Sequence, residues 1–137
     1  MTLTDSGPLA AIYLPDDRHH ARCVAALPSL ALPMVTSMAC FTEAMHFVGK
    51  ARGTQGRADL WRLVVDERLE VRPHTAEDLE RMRKLMERYS DLPMALADAS
   101  LVVLAERLNL TQVFTLDSHF SAYRLRDRRA FSVAPRP

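Results

Sequence analysis

Short apolar runs alternate along this chain with longer segments in which apolar residues recur at helical spacing. The apolar runs predict strands over residues 1–4, 30–35, 69–72, 113–116 and 130–133. Helical spacing predicts helices over residues 6–14, 17–27, 38–49, 54–65, 75–89 and 98–108. Strands that alternate with helices indicate an α/β fold with a largely parallel sheet. Because no linker divides the 137 residues, we expect a single domain over 1–137.

Polar residues mark several of the predicted helix ends. Ser6 and Ser37 stand where a side chain can cap the following helix, and Thr75 with Asp78 forms a T-x-x-D capping pattern. Asn109 tolerates the left-handed conformation that ends many helices. These positions predict where four helices begin or end.

The helix over 38–49 is apolar around nearly its whole circumference, which predicts that it is buried. Glu43 is its only formally charged residue, and a buried carboxylate without a partner is costly. In the next helix, Trp61 is expected to face the core. Leu79 is expected to begin the apolar stripe of the helix over 75–89.

Four carboxylates stand where α/β proteins build their ligand sites. Asp5 and Asp117 follow predicted strands, while Asp98 and Glu43 lie on helices that pack beside them. Ligands of open α/β sheets bind beyond the carboxyl ends of the strands. Clustered carboxylates repel one another, so the group must bind a cation or hold a proton. Oxygen ligands without sulfur suit Mg²⁺ or Mn²⁺, and a carboxylate-bound ion of this kind acts on phosphate esters.

Each acid except one also has a purely structural explanation. Asp5 can cap the end of a strand, and Asp117 can stabilise a turn. Asp98 can be an acid favoured by the dipole at the start of its helix. The predicted burial in mid-helix leaves Glu43 without such an explanation.

Composition limits the possible partners. With 18 Lys and Arg against 17 Asp and Glu, the net charge is +1, which excludes a global basic field for duplex nucleic acid. Lys50, Arg52 and Arg57 are local candidates for phosphate contacts.

Cys23 and Cys40 have no zinc-binding spacing and are expected to be reduced thiols. There is neither a signal-peptide pattern nor an apolar run of membrane length, so we expect a cytoplasmic protein without membrane segments.

The segments TDSGPL, FTEAM, ALADASLVVLAERL and TLDSHF, in this order and spacing, resemble the PIN domain and in particular the VapC-type ribonuclease toxins. The resemblance extends over nearly the whole chain. It implies a PIN-like three-layer α/β/α sandwich with a mostly parallel central sheet. It also implies a Mg²⁺- or Mn²⁺-dependent endoribonuclease whose catalytic and metal-binding acids are Asp5, Glu43, Asp98 and Asp117. An RNA substrate, a cognate antitoxin that masks the site and a homodimer are further implications.

The same resemblance bears on four further residues. Ser6 and Thr115 correspond to hydroxyl positions that hydrogen-bond the site in this family, although a helix cap and a buried strand threonine explain them equally well. Asp91 lies where many such toxins have an acid, and a role in a turn is the simpler explanation. His119 stands where many relatives have a further Asp.

Three functions are compatible with these residues. The first is the toxin of a toxin–antitoxin pair, a metal-dependent endoribonuclease in which activated water attacks the RNA phosphodiester and leaves a 3′-hydroxyl and a 5′-phosphate. The alternative is a catalytically silent PIN-like module that binds RNA or protein. A phosphoacceptor receiver domain is disfavoured, because it requires a lysine after a late strand and the only lysines are Lys50 and Lys84.

Overall fold

A single parallel sheet of five strands organises the chain in the computed structural model, which describes residues 1–136. The strands are β1 (Thr2–Thr4), β2 (Met34–Ser37), β3 (Leu69–Arg72), β4 (Gln112–Phe114) and β5 (Ser132–Ala134). Their order is β3-β2-β1-β4-β5, and every adjacent pair is parallel. The winding direction reverses between β1 and β4, which is where an open α/β sheet forms its ligand crevice.

Helices cover both faces of the sheet. They are α1 (Ser6–Ala11), α2 (His20–Ala26), α3 (Met38–Val65), α4 (Ala76–Arg88) and α5 (Leu96–Leu108), with 3₁₀ turns at Leu27–Ser29 and Ser118–Ser121. One face carries α1 and α3, and the other carries α4 and α5. Over residues 1–136, no helix combines the length and the apolar character needed to cross a membrane.

Alternate side chains of the central strands enter two different cores. Leu3, Val35 and Val113 pack with α4 and α5, whereas Met34 and Phe114 pack with α1 and α3. Because successive side chains of a strand point to opposite faces, a strand buried on both faces has a continuous apolar sequence. The predicted three-layer α/β/α sandwich with a parallel sheet is therefore confirmed.

The predicted strand bounds are right for β3 and shifted for β2, β4 and β5. β2 begins at Met34 instead of residue 30, because Pro33 has no N–H to donate to a neighbouring strand. β4 is shifted toward the N-terminus and ends at Phe114. β5 begins at Ser132, since Ala130 forms an isolated antiparallel bridge with Arg124.

Three of the predicted helix ends are confirmed. Ser37 caps α3, and Thr75 and Asp78 form a complete capping box at the start of α4. Asn109 ends α5 with a left-handed backbone at φ 55°. Asp98 is the third residue of α5, which starts at Leu96, slightly earlier than predicted.

The predicted helices over 38–49 and 54–65 are two segments of α3, joined at Gly53. Its φ of 62° and ψ of −144° form a backbone conformation that only glycine adopts without strain. Two predictions about this helix are wrong, since Glu43 is exposed and Trp61 is 54% exposed. Leu79 of α4, 59% exposed, is also outside the core. The apolar residues of a helix show which of its faces could be buried, but they do not show which of those faces a neighbouring element covers.

Candidate active site at the ends of β1 and β4

A cavity of about 350 Å³ opens where β1 and β4 end, at the point where the strand order reverses. Its lining includes all four acids predicted from the sequence, namely Asp5, Glu43, Asp98 and Asp117. The other lining residues are small or apolar: Ser6, Gly7, Ala95, Ala97 and Leu116. In the part of the chain that the structure describes, no basic side chain lines this cavity. The structure brings the four acids together, and their roles as metal ligands stay a prediction.

Asp5 joins β1 to α1 and is the N-cap of α1. Its Oδ1 accepts a hydrogen bond from the Ser6 backbone N–H at 2.7 Å, and its Oδ2 accepts one from the Thr115 hydroxyl at 2.8 Å. The prediction that Ser6 is the cap is therefore wrong, because the carboxylate one residue earlier takes that role. The Ser6 hydroxyl donates to Glu43 Oε1 at 2.9 Å instead. Burial raises the pKa of Asp5, and the hydrogen bonds only partly offset this effect.

Thr115 connects two of the acids. It is buried, and its hydroxyl donates to Asp5 while accepting a hydrogen bond from the Asp117 backbone N–H at 3.0 Å. Asp117 caps the following 3₁₀ turn, where its Oδ1 accepts from the His119 N–H at 2.9 Å. The hydroxyl of Thr115 therefore fixes the positions of the acids that follow β1 and β4 relative to each other.

Asp98 enters the cavity from the first turn of α5 and is only 8% exposed. Its Oδ2 accepts hydrogen bonds from the Ala95 backbone N–H at 3.0 Å and from the Tyr123 hydroxyl at 3.3 Å. Burial, together with the charges of Asp5 and Asp117, raises the pKa of Asp98 to about 6. The hydrogen bond from the Ala95 N–H agrees with the structural explanation of Asp98 as an acid at a helix start. The raised pKa shows that this bond does not compensate the carboxylate fully for burial and for the neighbouring charges.

Two residues that contact the acids were not predicted from the sequence. Tyr123 is fully buried, and its hydroxyl reaches Asp98 from a segment that otherwise looks like an arginine-rich loop. The thiol of Cys40 lies 3.6 Å from Asp5 Oδ1, and burial raises its pKa, so the thiol stays protonated and can donate. Both contacts depend on the tertiary fold, and no local sequence motif around Tyr123 or Cys40 predicts them.

The cavity fits a hard divalent cation by its donor chemistry. Carboxylate and hydroxyl oxygens line it, and no basic side chain in the described residues neutralises them. Within residues 1–136, no three Asp, Glu, His or Cys side chains already form a metal-binding group. Hydroxyl and N–H donors occupy several of the carboxylate oxygens instead.

The remaining predicted residues lie outside the acidic cavity. Asp91 is exposed in the turn before α5, as its simpler explanation requires. Arg52 pairs with Asp59 at 2.7 Å and also donates to a backbone carbonyl, so it is less available to a ligand. Lys50 and Arg57 line a different cavity on α3.

The strand order and the acids beyond β1 and β4 define an α/β protein with an acidic site at the switch point of its sheet. The chain belongs to the PIN domain family, which matches residues 3–125.

Similar proteins agree with this assignment. The chain is 28% identical over 134 residues to Ribonuclease VapC26 of Mycobacterium tuberculosis, covering 97% of this chain and 99% of that protein. The crystal structure of Mycobacterium tuberculosis VapC20, described as a sarcin-ricin loop cleaving toxin, has a TM-score of 0.81 at 17% identity and covers 89% of this chain and 94% of that one. A toxin-antitoxin complex from Klebsiella pneumoniae has a TM-score of 0.64 at 20% identity, with coverage of 86% and 88%.

Proposed function

We propose that this protein is a metal-dependent endoribonuclease that hydrolyses RNA phosphodiester bonds and is the toxin of a toxin–antitoxin pair. The observation that carries the proposal is the convergence of four acids and no basic side chain, among the described residues, on the cavity at the sheet's switch point. The similarity to Ribonuclease VapC26 along 97% of the chain supports RNA as the substrate.

We assign Mg²⁺ or Mn²⁺ to Asp5, Glu43, Asp98 and Asp117. When bound, the ion supplies an acidic water and a counter-charge for phosphoryl oxygens. The protein's own contribution is to hold the acids in place.

Different hydrogen-bond donors hold three of the four acids in place. Thr115 fixes Asp5, the Ser6 hydroxyl holds Glu43, and Asp98 is anchored through Oδ2 alone. In the described residues, Oδ1 of Asp98 accepts no hydrogen bond, which leaves this oxygen for a ligand. The small side chains of the lining keep the acids accessible to a phosphodiester.

A protein partner belongs to the same proposal. The Klebsiella pneumoniae toxin-antitoxin complex and VapBC2 of Rickettsia felis share this fold, with TM-scores of 0.64 and 0.63. We therefore infer a cognate antitoxin as a protein partner. An antitoxin that covers the acidic cavity, a homodimer as the assembly and action in the cytoplasm stay predictions from the sequence.

The experiment is cleavage of a mixed RNA pool by purified protein free of any partner, with Mg²⁺, with Mn²⁺ and with EDTA. The Asp98→Asn variant tests the site, and Asp91→Asn is the matched control, because Asp91 is an exposed acid outside the cavity. We expect metal-dependent cleavage by the wild type and by Asp91→Asn, and none by Asp98→Asn. Wild-type rates in Asp98→Asn would disprove the role of Asp98.

The second candidate is a catalytically silent PIN-like module that binds RNA or protein. The observation in its favour is that no three Asp, Glu, His or Cys side chains within residues 1–136 already form a group that could hold a metal ion. Metal-independent RNA binding without any cleavage products, under every condition of the same experiment, would establish this function instead.

A further inference from the structure

A second cavity, of about 530 Å³, lies between the two segments of α3. We call it the α3 groove. Its lining includes the apolar Phe41, Met45 and Trp61 and the polar or basic His46, Lys50 and Arg57. The groove is separate from the acidic cavity, with which it shares no lining residue.

The α3 groove presents positive charge without an acid in its lining. Throughout residues 1–136, neither Lys50 nor Arg57 makes an ion pair. Arg57 lies across Gly49, where an added Cβ would come within 2.6 Å of its Nε, so the absence of a side chain at 49 makes room for the guanidinium. Two cations are thus available to an anionic ligand.

Trp61 gives the groove an aromatic surface. The indole is 54% exposed, and Phe41 supports it edge-on at 5.1 Å between ring centroids. Proteins that bind single-stranded nucleic acids commonly place an exposed aromatic ring beside basic side chains. Bases stack on the ring, and the basic side chains bind the phosphates.

The α3 groove lies farther along the same helix than the part that lines the acidic cavity. Glu43 lines the acidic cavity, while His46 and Lys50 line the groove. At a spacing of three and seven residues, all three side chains lie on one side of the helix, and the two groove residues follow Glu43 by about 5 and 10 Å along the axis. A strand of RNA with a phosphodiester at the acids can therefore continue into the groove.

We propose that the α3 groove binds the single-stranded RNA segment next to the scissile phosphodiester, with Lys50 and Arg57 on phosphates and Trp61 on a base. This inference rests on the proposed function and specifies its substrate. The RNA must be single-stranded there, because bases paired in a duplex do not stack on protein side chains. The free cations, and the position of the groove on the same side of α3 as Glu43, favour RNA over a protein occupant.

Trp61 is the only tryptophan in the chain, so intrinsic fluorescence reports directly on the groove. We would titrate the protein in EDTA, which prevents metal-dependent cleavage, with a single-stranded RNA oligonucleotide and with its duplex. The single strand should quench the fluorescence and the duplex should not. Lys50→Ala should weaken binding about threefold to tenfold and reduce the slope of log affinity against log salt by about 0.7. Lys84→Ala, which changes the only other lysine, is the control and should alter neither.

The outcomes separate this inference from the proposed function. Cleavage by the wild type in Mg²⁺ without quenching in EDTA, and with Lys50→Ala equal to Lys84→Ala, would overturn the groove assignment and leave the nuclease intact. Quenching without any cleavage would support the groove and overturn the nuclease. If Trp61→Phe abolished self-association in sedimentation experiments and left RNA affinity, measured with a fluorescently labelled oligonucleotide, unchanged, a second copy of the chain would be the occupant and the inference would be wrong.

Discussion

Acids at the two ends of α5 have opposite surroundings. Near its start, Asp98 lines a cavity in which, among the described residues, no cation is present. Near its end, Glu106 accepts two hydrogen bonds from Arg81 of α4, each at 3.0 Å. Beside that pair, Asp78 of α4 accepts from Arg107 of α5. The same helix therefore carries one acid that an arginine of the chain neutralises, Glu106, and one that no cation of the described residues neutralises, Asp98.

Burial alone does not explain the difference. Asp98 and Asp78 are 8% and 7% exposed. Burial raises the pKa of Asp98 to about 6, whereas at Asp78 the raising effect of burial is outweighed by the Thr75 N–H and by Arg107, which hold the pKa below its ordinary value. An acid with a cation from its own chain serves the fold, and an acid without one is where an external cation is needed.

Exchanging each acid for its amide gives the largest expected contrast. Asp98→Asn should reduce RNA cleavage in Mg²⁺ by roughly 100-fold or more, because it removes a charged ligand oxygen. Asp78→Asn should leave the rate within about twofold, since its partner Arg107 belongs to the scaffold. Initial rates at matched folded concentrations measure this. Equal losses in the two variants would mean that the acidic cavity is not special.

Metal binding should follow the same division. Mg²⁺ at one hundred times its Kd should stabilise the wild type by about 2.7 kcal/mol, and Asp78→Asn should gain as much. Asp98→Asn should lose most of this gain, because the ion binds the folded acidic cavity. Urea unfolding with Mg²⁺ and with EDTA measures the difference. A gain that is the same in all three proteins would place the ion elsewhere.

In EDTA the two exchanges should change stability in opposite directions. At pH 7.5, Asp98→Asn should stabilise the protein by roughly 1 to 2 kcal/mol, because it removes a buried charge that has no counter-ion. Asp78→Asn should destabilise it by about 1 to 2 kcal/mol, because the amide loses the charged interaction with Arg107. Urea unfolding of both variants beside the wild type measures the sign, and a destabilised Asp98→Asn would show that hydrogen bonds compensate this carboxylate.

The advantage of Asp98→Asn should also depend on pH. The fold raises the pKa of Asp98 from its ordinary value of 3.8 to about 6, so the folded state binds the proton more tightly than the unfolded chain does. Its destabilising effect is therefore full above pH 6 and is relieved as the pH falls through 6 toward 4. The stability difference from the wild type should shrink between pH 7.5 and pH 5 in EDTA. A difference that stayed constant would contradict the raised pKa.

The sequence predicted the features that depend on local pattern. Apolar runs located the strands, capping residues located α3, α4 and the end of α5, and the order of the acids indicated the site. These succeed because a parallel sheet imposes continuous apolar strands and brings the ends of β1 and β4 to one edge.

The predictions that were wrong concern features that depend on which neighbouring element covers each face of a helix. The exposure of Trp61 and Glu43 depends on which faces of α3 its neighbours cover, and the spacing of apolar residues does not record this. Arg52 looked available because Asp59 is seven residues away and not an obvious partner. Tyr123 was missed for the same reason, since only the folded chain places its hydroxyl beside Asp98.

Tyr123→Phe should show whether the anchor of Asp98 matters for metal binding. The phenol is fully buried, and burial raises its pKa, so it remains a donor to Asp98 Oδ2. Its loss leaves the Ala95 N–H as the only donor to that oxygen. We expect Mn²⁺ affinity, measured by calorimetry, to fall about tenfold, a magnitude typical of groups that orient a metal ligand.

Tyr89→Phe is the matched control for this change. Its ring packs against that of Tyr123 at 5.1 Å, but its hydroxyl accepts a hydrogen bond from the Arg124 backbone N–H at 3.1 Å and contacts no acid. It should leave Mn²⁺ affinity unchanged. In an Asp98→Asn background, Tyr123→Phe should cause no further loss, because its effect passes through that carboxylate. An equal loss of Mn²⁺ affinity in both backgrounds would mean that Tyr123 acts by supporting the aromatic core. The hydrogen bond from Tyr123 to Asp98 would then contribute nothing to metal binding.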